Sequence, residues 1–220
     1  MNGQPEKAYN SGTLETADMT ALDDLLETAQ ALIFDCDGTL LATPDLYAGA
    51  WQAAFASAGQ DMAAGWYHER AGMSEHVLLD EFEKERSVIL DWEHVVLAMR
   101  SAVLQRIGAV REISAVAGIA RRFEGQKPMA VASGGPREIV TASLESAGLM
   151  PLFHTVVTMD DVANAKPAPD LFLEAAHRLG TAPADCLVFE DSRQGIQAAR
   201  NAEMRVIDVN ALIADEAATF

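Results

Sequence analysis

Four short stretches of the chain bring acids, a serine and a lysine together with glycine or proline. Asp35-Cys36-Asp37-Gly38 sets two carboxylates two residues apart, and Glu190-Asp191-Ser192 sets two side by side. Between them lie Ser133-Gly134-Gly135 and Lys166-Pro167. Three or four carboxylates converging in one crevice repel each other strongly, and a divalent cation is the simplest remedy. A set of oxygen-only ligands, with no His or Cys among them, favours magnesium.

Convergence requires a scaffold, and the flanking residues supply one. Ala31 to Phe34 is a short apolar run that stops at Asp35, as a buried parallel strand opening into a loop would. The pattern recurs at Met129 to Ala132, His154 to Val157, Leu187 to Phe189 and Val206 to Val209. Helical patterns separate these runs: Ile113 to Phe123, Pro136 to Ala147, Pro169 to Leu179 and Gln194 to Ala202. Gly148 and Gly180 follow the second and third, and Pro136 and Pro169 open them, the expected asymmetry of helix ends. Alternating strand and helix predicts an α/β fold, a doubly wound parallel sheet, whose ligands bind beyond the carboxyl ends of the strands.

Residues 43–106 break the alternation. They contain Trp51, Trp66 and Trp92, show helical patterns without a convincing strand, and read as an inserted all-helical cap. The expected organisation is an N-terminal extension at 1–30, partly disordered with one acidic helix at Thr20 to Ala29, a core domain at 31–42 and 107–220, and the cap at 43–106.

Composition narrows the function further. The 220 residues carry 33 acidic and 16 basic side chains, a net charge of −17, and half are hydrophobic. That apolar content supports a packed core and argues against disorder. The shortage of Lys and Arg argues against nucleic acid as a partner. Cys36 and Cys186 lie far apart without paired ligands, and read as reduced and buried. No run is apolar enough for a membrane span and the first residues lack a secretory pattern, so a cytoplasmic protein is expected.

The four motifs, in this order and each at a predicted strand end, resemble those of the haloacid-dehalogenase-like (HAD) phosphohydrolases. Asp35-Cys36-Asp37-Gly38-Thr39-Leu40 matches the first, Ser133 the second, Lys166-Pro167-Ala168-Pro169-Asp170 the third and Glu190-Asp191-Ser192-x-x-Gly195 the fourth. The resemblance spans about Ala31 to Val209. It implies that Asp35 is the nucleophile and forms an aspartyl-phosphate, with Asp37 as acid and base. It further implies Mg2+ held by Asp35, the Asp37 carbonyl and Asp191, with Glu190 either a further ligand or just behind the ligands. Ser133, Lys166 and backbone around Gly38, Thr39 and Gly134 would then receive the phosphoryl group. Strand alternation turns Asp35 and Asp37 to one side and Cys36 to the core.

A helical cap between the first and second motifs is similar to the beta-phosphoglucomutase-like branch. Arg70-Ala71-Gly72-Met73-Ser74 resembles its substrate loop, which implies substrate contacts from Gly72 and Ser74. The C-terminal half looks like fructose-1-phosphate and 6-phosphogluconate phosphatases. Three positions depart from the branch: Ala42-Thr43-Pro44 replaces an acidic pattern, Tyr47 stands where the mutases place a histidine, and Glu75 where they carry a basic residue. The implied function is a magnesium-dependent phosphatase for a small sugar or polyol phosphate, acting as a monomer or small homo-oligomer. Two other readings use the same residues, a sugar-phosphate mutase and a non-catalytic module that binds a phosphometabolite.

Overall fold

A computed structural model of the chain describes residues 19–217. Its sheet contains β1 (Ala31–Phe34), β2 (Met129–Ala132), β3 (Thr155–Val157), β4 (Cys186–Glu190) and β5 (Arg205–Asp208), all parallel, in the order β3-β2-β1-β4-β5. β1 is central, with Phe34 opposite Val131 on one side and Phe189 on the other. The chain builds outward to β3 first and then returns to β4, so a crevice opens at the carboxyl ends beside β1.

Period-two alternation divides the strand residues between two buried faces. Leu32, Phe34, Met129, Val131, Leu187 and Phe189 join one cluster. Ala31, Ile33, Ala130, Ala132, Cys186 and Val188 join the other. With both faces covered, the strands read as unbroken apolar runs rather than as alternating ones.

Helix α1 (Met19–Thr28) lies on the first face through Leu22 and Leu26. Arg122 pairs with Asp23 at 2.7 Å, and Lys127 Nζ donates to the Ala29 carbonyl at 2.6 Å. This helix therefore packs against the first face of the sheet; the polar lead before it lies outside the described residues.

Between β1 and β2 come α2 (Pro44–Ser57), α3 (Ala64–His68), α4 (Glu75–Arg86) and α5 (Trp92–Gln105). α2 starts with Pro44 in its first turn, and the Asp91 side chain caps α5 by accepting from the His94 amide. These helices bury a core of their own: Trp51 and Phe55 from α2, Leu78, Leu79 and Phe82 from α4, and Val95, Met99 and Val103 from α5. Phe55 and Phe82 stack with centroids 4.0 Å apart.

The remaining helices complete the layers. α6 (Ser114–Arg122) and α7 (Arg137–Ser146) cover the α1 face, and α8 (Asp170–Leu179) and α9 (Arg193–Asn201) cover the other. Ile139 of α7 belongs to the helical cluster and joins the two cores. A further helix, α10 (Asn210–Ala217), follows β5 and sets Leu212 and Ile213 against the first face. Its pattern is too short and too mixed to register in the sequence. Among the described residues, no helix is long and apolar enough to cross a membrane.

Candidate active site

Asp35 follows the last residue of β1, and its amide donates to the Phe189 carbonyl at 2.9 Å, which fixes it at the sheet edge. Lys166 Nζ reaches it from the loop before α8, donating to Asp35 Oδ1 at 2.5 Å and to Glu190 Oε2 at 2.7 Å. All three side chains are buried. The other oxygen of Glu190 accepts from Ser192 Oγ at 2.8 Å, from the Ser192 amide at 3.0 Å and from the Asp191 amide at 3.2 Å. Gly195, in the first turn of α9, makes room for this carboxylate: a Cβ there would lie 2.0 Å from the carboxyl carbon. Both oxygens of Glu190 are thus engaged, which suits an anchor for Lys166.

Asp191 is held differently. Thr39 Oγ1 donates to its Oδ1 at 2.9 Å, and Gly38, at φ +86°, lies so close that a Cβ would meet Oδ2 at 2.3 Å. Only a residue without a side chain tolerates both that dihedral and that approach. Carboxylate oxygens of Asp35, Glu190 and Asp191 all lie within 4.8 Å of one another. One lysine cannot balance three clustered acids, and burial together with the neighbouring Glu190 drives Asp35 well above the ordinary aspartate range. The same two causes push Asp191 up to about 7. Burial pulls the Lys166 ammonium down, but Asp35 and Glu190 outweigh it and keep the group charged. An oxygen-only cluster with unbalanced negative charge fits a hard divalent cation.

Asp37, two residues on, accepts a hydrogen bond from Thr43 Oγ1 at 2.7 Å. Burial raises its carboxyl above the ordinary value, and the hydrogen bond from Thr43 opposes that rise. A carboxyl of this kind can hold a proton and release it. Ser133 is buried and accepts from the Gly135 amide at 3.0 Å. Cys36 points into the core beneath, with its thiol pushed up by burial.

A cavity of about 60 Å³ lies over this floor. Asp35, Asp37, Ser133, Gly134, Lys166 and Ser192 line it from the sheet side. Tyr47 and Trp51 of α2, Tyr67 of α3, Gly72, Met73 and Glu75 close it from the helical side, with Met99 of α5. Gly72, at φ +87°, sits against Ser192, where a Cβ would lie 3.0 Å from the Ser192 Cβ. The two halves of the molecule meet there.

Most of the residues singled out in the sequence thus converge, but three of the expected substrate contacts do not reach the cavity. The Gly38 amide donates to the Leu41 carbonyl at 2.8 Å, closing the turn after β1. The Thr39 hydroxyl is spent on Asp191. Ser74 is the residue before α4, and its neighbours Met73 and Glu75 line the space instead. Sequence reasoning also left three positions without a role. Thr43, within a departure from the branch pattern, orients Asp37. Tyr47 lines the cavity. Asn210, at the start of α10, donates to the Asp191 carbonyl at 2.7 Å. A lone hydroxyl or amide between apolar residues gives no pattern by which to find it.

This fold, with carboxylates, serine and lysine at the ends of its parallel strands, defines a class of hydrolases that work from the carboxyl edge of the sheet. Residues 32–209 match the profile of the haloacid dehalogenase-like hydrolases, and the chain belongs to that family. It is 33% identical over 197 residues to the fructose-1-phosphate phosphatase YqaB of Escherichia coli, covering 86% of this chain and all of that one. It is 32% identical over 196 residues to the protein CbbY of Rhodobacter capsulatus, covering 81% of this chain and 84% of that one. Among solved structures, a hydrolase from Pseudomonas syringae superposes with a TM-score of 0.73 at 26% identity, covering 80% of this chain and 83% of that one.

Proposed function

We propose that the protein is a magnesium-dependent phosphatase that hydrolyses a small sugar or polyol phosphate in the cytoplasm. The observation that carries this reading is the pairing of Asp35, held by Lys166 at 2.5 Å, with a second, half-buried carboxyl, Asp37, that lines the same cavity. A pure binding module has no use for that second acid. The named phosphatase among the relatives supports the same reading.

In the first half-reaction a carboxylate oxygen of Asp35 attacks phosphorus. The bond from phosphorus to the substrate oxygen breaks, and Asp37 gives its proton to the departing alkoxide. In the second, Asp37 takes a proton from water, the water oxygen attacks phosphorus, and the acyl-phosphate bond breaks to restore Asp35. Alcohol and inorganic phosphate leave. Thr43 keeps the Asp37 carboxyl turned toward the leaving group. Lys166, Ser133 and Gly134 face the transferring group, where charge placed in advance lowers the barrier.

Asp35 and Asp191, with the Asp37 carbonyl, would hold the Mg2+, and Glu190 positions Lys166. When bound, the ion supplies positive charge that offsets the clustered carboxylates and the phosphoryl oxygens. Residues 43–106 act as a cap that excludes water during the first half-reaction.

The test is phosphate release from a panel of phosphorylated sugars and polyols, with and without magnesium. Wild type should turn over in a metal-dependent way, and Asp35→Asn should lose more than about a thousandfold in rate while keeping its circular dichroism spectrum. Substantial turnover by that variant would remove Asp35 as nucleophile. Isomerised sugar phosphate without free phosphate would indicate a mutase instead.

A further inference from the structure

The helical side of the cavity carries two polar groups whose state is unusual. Tyr47 Oη is buried without a hydrogen-bond partner, although the residue lines the cavity. A hydroxyl kept from water and left unpaired costs stability unless a ligand completes it. Glu75 is the other: it is 7% exposed and also lines the cavity. Arg100 of α5 grips it from behind, Nε donating to Oε1 at 2.9 Å and Nη2 to Oε2 at 2.6 Å. The grip fixes the carboxylate in position, and each oxygen retains a lone pair. Arg100 itself is absent from the lining residues.

Among the described residues that line the cavity Lys166 is the one Lys or Arg, and it is committed to Asp35 and Glu190 on the floor. The roof consequently meets the leaving group with an acceptor, Glu75, a donor, Tyr47, and the apolar surfaces of Trp51, Met73 and Met99. A second phosphate or a carboxylate on the substrate would face the acceptor oxygens of Glu75, whose guanidinium partner lies behind it and outside the lining, and two acceptors cannot pair.

We infer that Tyr47 and Glu75 are specificity-determining residues, selecting an uncharged, hydroxyl-bearing leaving group and rejecting one that carries a second anion. This rests on the phosphatase reading and narrows it to monophosphates of neutral polyhydroxylated compounds. A hydroxyl of the leaving group donates to Glu75, and its oxygen accepts from Tyr47 Oη.

The experiment compares kcat/KM on fructose 1-phosphate, 2-phosphoglycolate and phenyl phosphate for wild type, Tyr47→Phe and Glu75→Gln. Wild type should prefer the hydroxylated substrate over the carboxylated one. Tyr47→Phe removes one atom from an unpaired position and should fold. It should lower kcat/KM on fructose 1-phosphate by about tenfold more than on phenyl phosphate, the worth of one hydrogen bond. Glu75→Gln should narrow the preference for fructose 1-phosphate over 2-phosphoglycolate by about tenfold. Equal losses on fructose 1-phosphate and phenyl phosphate in Tyr47→Phe would overturn the inference and leave the phosphatase reading standing, as would a wild type that prefers 2-phosphoglycolate. Phosphate release from none of the three by wild type would overturn that reading, and this inference with it.

Discussion

The sheet and the helical insertion each bury acid beside base, and they do so in opposite ways. On the crevice floor one lysine is shared by Asp35 and Glu190, with Asp191 close by, so negative charge remains in excess. In the roof Glu75 has a guanidinium to itself, fastened by two hydrogen bonds. The first arrangement raises the carboxyl groups of Asp35 and Asp191 and suits a site that takes up a cation and an anion in turn. The second is closed electrostatically and leaves only acceptor lone pairs exposed. Excess charge marks where bonds change, and balanced charge marks where a ligand is sorted.

Breaking each pair from its basic side measures this contrast most directly. Lys166→Ala leaves two buried carboxylates unpaired, so we expect phosphate release to disappear and stability to fall by about 3–5 kcal/mol in urea denaturation. Arg100→Ala leaves Glu75 at the edge of a cavity, and should cost less, about 1–3 kcal/mol. Equal losses would end the distinction between the two regions.

A smaller effect should appear with pH. An unfolded aspartate titrates near 3.8, whereas Asp191 in the folded protein is pushed up to about 7 by burial and by Glu190. Between those values the folded state keeps a proton that the unfolded state has lost. Its stabilising contribution is therefore present below the lower value and fades as pH rises through the upper one. The melting temperature of metal-free protein should fall across that window, and Asp191→Asn should flatten the slope. Magnesium added at pH 8 should raise the melting temperature of wild type more than that of the variant.

The smallest expected change tests where the halves touch. Gly72→Ala forces a side chain onto a left-handed backbone and toward Ser192, 3.0 Å away. The strain is worth about 1–2 kcal/mol, and it should lower the melting temperature by a few degrees and kcat/KM severalfold. An unaltered kcat/KM would show that the contact between Gly72 and Ser192 has no part in turnover.

The same contrast explains what could be read from the sequence. β1, β2 and β4 are short apolar runs ended by chemistry-bearing residues, so strand type, order along the chain and most of the floor were visible at once. Glu190 looked like a loop residue, yet it belongs to β4 because its backbone pairs with Asp208 of β5, a partner that no local pattern discloses. In the roof, helical periodicity indicated helices but not how they cross. It could not bring Glu75 to Arg100, nor show that the start of α4 turns Met73 and Glu75 inward and leaves Ser74 off the cavity wall. In the sequence Tyr47 and Glu75 stand out only as departures from a related branch. The unpaired hydroxyl and the gripped carboxylate emerge from packing.

The central position of β1 also bears on synthesis. This strand is made before either of its neighbours, which begin at Met129 and Cys186, so its edges stay unpaired until those segments follow. The helices from Pro44 to Gln105 find their partners within their own segment and can settle first. The exposed edges of β1 are then the part most vulnerable to mispairing with another nascent chain.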